Sequence, residues 1–490
     1  MTEQKKPPYG IIAILFTGAF VAIFNQTLLN IALPSIMTDL NIKDASIVQW
    51  LVTGYMLVNG ILIPASAYFI QRFSNRSIFI LAMSLFVLGT IIAGFAPTFG
   101  VLLGARMVQA AGAALMMPLL MNVMLVAFPV EKRGAAMGIF GLVMIVAPAI
   151  GPTLSGYIVE HYSWRVLFFV VLPIALIPLL LGIFKLKNLT FQNREISLDK
   201  PSLVLSSLGF GGILYGFSAA GQNGWSDPYV LGTITIGVVS LVTFILRQLK
   251  LKEPLLEFRI YKYPMFALSS AISIVLSISM FSAMILMPIY VQTIKGISPF
   301  DSGLLMLPGA LVMGFMSPVT GKLFDKYGAK VLAITGMAIV TLSTYYFSEL
   351  SVETTYLQIM FLYTIRMLGI SMVMMPVMTN GLNTLPMKAY PHGTAMNNTL
   401  QQVSGAIGSA LLITVMNTRA TSAAGDLAKN GTNPAEIMNI SLMEGINYTF
   451  FISTFIAAVA LALTLFIKKP IRHVTEEEKD QVYKQVPVEE

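Results

Sequence analysis

The stretch Phe24-Asn25-Gln26-Thr27-Leu28-Leu29-Asn30 sets two asparagines, a glutamine and a threonine inside a long apolar run. Polar groups in a hydrocarbon layer are costly, so they mark a pathway or a packing contact. All four are neutral, and an amide takes up no proton near neutral pH. Their chemistry is hydrogen bonding, to a solute or to another helix. Two arginines, Arg106 and Arg366, interrupt other apolar runs. A guanidinium at that depth must face the protein interior and find acceptors. The type supports a relay or pathway cation; the alternative is a structural clamp on facing carbonyls.

No Asp or Glu lies in the central turns of any apolar run. The nearest are Asp39, Asp44, Glu160, Asp301, Asp325, Glu349 and Glu444, all at run edges. A proton carrier is therefore expected among edge acids. Glu160, with His161 and Arg165 beside it, is the first choice, followed by Asp39 and Asp44; the alternative for Glu160 is a solvated loop acid. Enzymatic chemistry has little to stand on. The chain has no cysteine, and His161, His392 and His473 are widely separated. There is no phosphate loop, nucleophile elbow or metal-ligand spacing. We expect no catalytic residue, no metal and no cofactor.

The elements that position these residues follow from composition. Of 490 residues, 56% are hydrophobic and 11% charged, against about 25% charged in soluble domains. Fourteen apolar segments, from 10–33 to 446–467, are each long enough to cross ~30 Å of hydrocarbon as a helix. The expected fold class is an all-α polytopic membrane protein. With the N-terminus in the cytoplasm, only Lys43, Arg165, Lys295, Arg419 and Lys429 fall on outer loops, and only Arg106 and Arg366 within spans. Every other Lys and Arg then lies on the inner side, as the positive-inside rule requires. Both termini are expected there. The net charge of +8 is thus spread as anchors beside an anionic leaflet, which argues against nucleic acid.

An internal repeat organises the spans. Gly321-Lys322-Leu323-Phe324-Asp325-Lys326-Tyr327-Gly328-Ala329-Lys330 aligns without gaps to Ala67-Tyr68-Phe69-Ile70-Gln71-Arg72-Phe73-Ser74-Asn75-Arg76. A weaker match joins Arg133-Gly134-Ala135-Ala136-Met137 to His392-Gly393-Thr394-Ala395-Met396. The expected plan is a six-helix bundle over 10–184, two linker helices with their loops over 185–264, a second six-helix bundle over 265–467, and a cytoplasmic tail over 468–490. The linker helices have no counterpart in the repeat; lipid contact and dimer packing are the roles open to them.

Four motifs carry a family resemblance: Asn25-Gln26-Thr27 through Ala32-Leu33-Pro34; the repeated loop; Arg106-Met107-Val108-Gln109-Ala110-Ala111-Gly112; and Ala147-Pro148-Ala149-Ile150-Gly151-Pro152-Thr153-Leu154-Ser155-Gly156. The chain resembles the fourteen-helix drug:proton antiporter branch of the major facilitator superfamily, most of all its lincomycin-resistance type exporters. The resemblance implies proton-driven export by alternating access between the bundles. Glu160 directly follows the antiporter motif, and Arg106 on the neighbouring helix is expected to set its balance by attracting the ionised form. The chain departs from the family where Asn25 replaces an acid, Gln71 an Asp and Ser74 a Gly.

Gating is expected at Pro148, Gly151, Pro152 and Gly156, where small residues and prolines permit close approach and bending. A latch is expected at Gly321, Asp325, Lys326 and Gly328, with Arg72 in the weaker N-terminal copy. Substrate is expected at Asn25, Gln26, Asn30, Trp50, Tyr55, Gln109, Met284, Asn397, Asn398 and Gln401; the alternatives are core filling for Met284 and the interfacial belt for Trp50 and Tyr55. Without a midplane acid, the cavity suits large, amphipathic, neutral or weakly charged drugs. The expected partners are drugs, protons and the lipid bilayer, in the plasma membrane, with no obligatory protein partner. An amphipathic-lipid translocator and a non-transporting sensor or scaffold are the rival readings.

Overall fold

The computed structural model describes residues 8–42, 45–189, 192, 196, 198–429 and 433–469, apart from some helical side chains. Asp44 lies outside the described residues, as do the side chains of Asn30, Pro148 and Pro152.

Fourteen long helices follow one another: α1 (Tyr9–Asp39), α2 (Ala45–Arg72), α3 (Asn75–Gly94), α4 (Phe99–Ala127), α5 (Arg133–His161), α6 (Arg165–Lys185), α7 (Lys200–Asn223), α8 (Pro228–Lys250), α9 (Pro264–Ile289), α10 (Pro299–Tyr327), α11 (Ala329–Phe347), α12 (Tyr356–Leu382), α13 (Tyr390–Lys429) and α14 (Pro434–Thr464). No strand occurs among the described residues. All but α5 are, on their described residues, long and apolar enough to span a membrane. Helices α1 and α13 run well past the apolar segments read from sequence, because a helix satisfies its own backbone and continues into polar surroundings.

Local chemistry sets the ends. Asp199 and Asp227 accept backbone N–H groups at the starts of α7 and α8, each followed closely by a proline that suits a first turn. Thr355 and Gln358 form a capping box on α12. Gly328 ends α10 at φ 81°, a conformation that a side chain disfavours.

The packing reproduces the sequence repeat. In the first bundle α3 packs on α4 and α6, α2 on α4, and α1 on α5 and α6. In the second, α11 packs on α12 and α14, α10 on α12, and α9 on α13 and α14. Two seams join the bundles, α5 against α10 and α2 against α13, and the repeat makes them equivalent. The junctions after α2, α4 and α10 bring Arg76, Lys132 and Lys330 to one side, which we call the basic face. There the core of the first bundle continues into Leu382, Leu385, Tyr390 and Met396 of the second.

The linker helices have a definite place. α7 and α8 pack on each other through Gly209, Gly212, Gly216 and Gly237. α7 also lies against both α2 and α13, across the second seam. Trp50 stacks on Tyr215 at 5.6 Å, and the Trp225 Nε1–H donates to Thr414 Oγ1 at 2.5 Å.

Candidate functional site

Arg106 is fully buried two turns into α4. Its NH1 donates to Gln109 Oε1 at 2.9 Å, and the Gln109 Nε2–H donates to Thr90 Oγ1 of α3 at 2.8 Å. Its guanidinium carbon lies 4.3 Å from the centre of the Tyr55 ring on α2, a geometry in which the ring face attracts a cation. Arg106 Nε and Tyr55 Oη have no hydrogen-bond partner among the described residues. The fold thus gathers Arg106, Gln109 and Tyr55 from three motif and cavity expectations into one cluster. Gln109, expected to meet substrate, has its amide committed to Arg106 and Thr90.

The helix 1 amides meet the antiporter motif. Asn25 is buried with Nδ2 unpartnered among the described residues; Gln26 is half-buried. Beside them α5 presses on α1. A Cβ on Gly151 would collide with Thr27 Oγ1, and Ser155 Oγ donates to the Leu28 carbonyl at 2.5 Å. Gly156 differs from expectation: a Cβ there meets nothing within 4 Å. It is the glycines earlier in α5 that make the seam. A Cβ on Gly138 would lie 2.5 Å from the Ser317 carbonyl of α10, and one on Gly321 would strike the Gly134 carbonyl.

That seam ends at Asp325. Both oxygens of Asp325 accept backbone N–H groups at the start of α5, from Gly134 at 2.8 Å and Ala135 at 2.9 Å. A carboxylate on a helix N-terminus gains from free N–H groups and from the helix dipole. The bond is to backbone, not to the flanking lysines. Lys326 instead lies over its neighbour Tyr327 at 5.1 Å. Arg133, one residue earlier, donates to Asn383 Oδ1 at 2.9 Å and to Tyr390 Oη at 2.8 Å across the bundles.

The equivalent position in the other seam is Gln71. It meets His392 of α13, Nε2 to Nε2 at 2.9 Å. Its neighbour Arg72 donates to the Ile196 carbonyl.

The edge acids are placed differently from one another. Asp39 accepts from Arg165 NH1 at 2.6 Å and Trp164 Nε1 at 3.0 Å. The Arg165 hydrogen bond, then that of Trp164, holds its carboxyl below the usual range. Glu160 is exposed at the end of α5. Neither sequence neighbour is bonded to it: Arg165 serves Asp39, and His161 stacks on Tyr157 at 4.6 Å.

The remaining cavity candidates scatter. Trp50 stacks on Tyr215 of α7. Met284 is 53% exposed, whereas Met287 is buried in the core of the second bundle. Asn397 is buried; Gln401 is half-buried. Asn398 Nδ2 donates to the Thr394 carbonyl at 2.8 Å and lies 3.7 Å from Met121 Sδ of α4.

Two further groups gain partners only in the fold. The groups that meet His392 lie far from it along the chain. Arg366 has a readable signal: Arg106-Met107 precedes Met116-Met117-Pro118 with Asn122 four on, and Arg366-Met367 precedes Met374-Met375-Pro376 with Asn380 four on. Each arginine lies in the fourth helix of its bundle. Arg366 is equally buried and donates to Thr344 Oγ1 at 3.1 Å and to the Ser279 carbonyl.

The sequence profile of the Major Facilitator Superfamily matches residues 15–409. The MFS-type transporter YcnB of Bacillus subtilis (strain 168) is 48% identical over 474 residues, 96% of this chain and 98% of its own. Lincomycin resistance protein LmrB of the same strain is 45% identical over 475 residues, 96% of this chain and 97% of its own. The crystal structure of the human organic anion transporter MFSD10 superposes with a TM-score of 0.62 at 11% identity, over 92% of this chain and all of that one. The chain belongs to the Major Facilitator Superfamily, a family of polytopic membrane transporters.

Proposed function

We propose that this superfamily member is a multidrug exporter that exchanges protons for amphipathic drugs by alternating access. The observation that carries the mechanism is the α5–α10 seam. Backbones there approach so closely that glycine is required, and Asp325 caps the neighbouring helix across it. Such a joint closes one face of a transporter and opens by rigid rocking of one bundle on the other. The drug-resistance name of a 45% identical relative supports the substrate class.

In this reading the basic face is cytoplasmic and the membrane is the plasma membrane, in keeping with the distribution of Lys and Arg. The structure is then the state closed to the cytoplasm. Asn25 and Gln26 recognise polar groups of the drug, because neutral amides suit neutral or weakly charged solutes. Glu160 carries the proton at the outer end of α5. The test is drug uptake into inverted membrane vesicles with and without an imposed pH gradient. Uptake that requires the gradient is expected; a folded, inserted chain that moves no drug would overturn the reading.

A further inference from the structure

We propose that Gln71 and His392 form a proton-operated latch, shut while His392 is neutral and released when the ring takes a second proton. The proposal rests on the alternating-access reading above.

His392 is 7% exposed and lies in the first turn of α13, wedged among three segments. Gln71 Nε2 stands 2.9 Å from its Nε2, and the Glu257 backbone N–H points to its Nδ1 at 3.3 Å. The Leu255 backbone carbonyl accepts from a ring N–H. The Gln71 amide is held in this sense, because its Nε2 also donates to the Ala67 carbonyl at 3.1 Å. Turning it over would set Oε1 against that carbonyl, two acceptors face to face. Ring Nε2 therefore confronts an N–H donor, and it accepts that bond only while it carries no proton itself. A neutral imidazole can accept at the nitrogen without a proton; an imidazolium accepts at neither. The second proton removes the hydrogen bond that joins α2 to α13.

Apart from the Leu255 carbonyl, no group among the described residues facing the ring is free to compensate that charge. On α2, Arg72 is adjacent and cationic. On the segment after α8, the Glu257 carboxylate is taken by the Arg259 backbone N–H at 3.0 Å and guanidinium at 3.4 Å. From α5, Arg133 is bonded to Asn383 and Tyr390. Lys388 stands exposed just before α13. The helix N-terminus beneath the ring is itself partly positive. The repeat sharpens the contrast. At the position equivalent to Gln71 stands Asp325, whose charge would hold an imidazolium. With glutamine there, acid opens this seam instead of tightening it.

The chain has no cysteine, so two can be introduced cleanly. We would label Phe73 and Lys330, both exposed on the basic face, in the full chain in lipid nanodiscs, and measure spin–spin distances between about pH 8 and 5, where histidine changes charge. The long-distance population should rise several-fold as pH falls. His392→Gln should abolish that rise. Should His392→Gln fail to fold, Gln71→Glu decides: a carboxylate favours the imidazolium in the closed state and should move the midpoint to lower pH. An unchanged pH response in His392→Gln, or an unmoved midpoint in Gln71→Glu, would overturn the latch. Drug transport by a chain whose distances ignore pH would overturn the latch alone. The predicted distance response in a chain that moves no drug would overturn the exporter reading alone.

Discussion

Arg106 lies between Gln109, which accepts its NH1 hydrogen bond at 2.9 Å, and Tyr55, whose ring centre is 4.3 Å away. The planar guanidinium uses both its edge and its face. A lysine ammonium is a point charge without a flat face. Arg106→Ala should abolish proton-driven efflux, and Arg106→Lys should restore little of it. Near-normal uptake by the lysine variant in inverted vesicles would reduce the site to a need for positive charge. Gln109→Ala leaves a buried charge short of an acceptor and should destabilise by roughly 1.5–3 kcal/mol, read as a lower melting temperature in detergent.

The α5–α10 seam separates glycines that matter from one that does not. Gly138→Ala and Gly321→Ala place a methyl against backbone, which cannot retreat as a side chain can. Overpacking of this kind costs about 1–3 kcal/mol, and it falls only on the state closed at the basic face. Reporter cysteines on that face should become more reactive in both variants. Gly156→Ala should leave their reactivity unchanged.

Glu160 is exposed in the state closed at the basic face. A coupling acid must be wet in one state and sealed in another, where desolvation favours its protonated form. Glu160→Gln should lose gradient-driven efflux yet still bind drug by equilibrium titration. Gradient-dependent efflux by this variant would move the search to Asp39.

Asp199 anchors α7 to α8 through paired bonds to Arg247 at 2.7 and 2.9 Å. Those bonds pull its carboxyl down to about 2. A folded value below the unfolded one adds stability above the unfolded value, near 4, and that stability is lost as pH falls toward about 2. Asp199→Asn should lower the melting temperature at pH 7, and the gap to the parent should close across that acid range. A gap independent of pH would assign the loss to the helix cap instead.

The fourteen long helices, the repeat and the burial of Arg106 were legible from sequence because each rests on a local rule. Apolar length, the sidedness of Lys and Arg, and the cost of a charge in hydrocarbon act on a segment without reference to its neighbours. The repeated loop was legible for the same reason, since two copies of one pattern stand at equivalent links. Partnership was not legible. Glu160 is adjacent to Arg165 in sequence, yet the turn into α6 delivers Arg165 to Asp39. Trp50 reads as a cavity or interfacial residue, and only the fold shows Tyr215 of α7 stacked on it. His392 has no meaningful neighbour along the chain; only the meeting of α2, α13 and the segment after α8 surrounds it with donors. The physical reason is that hydropathy scores what a residue loses by leaving water, and the fold alone decides which atom replaces the water.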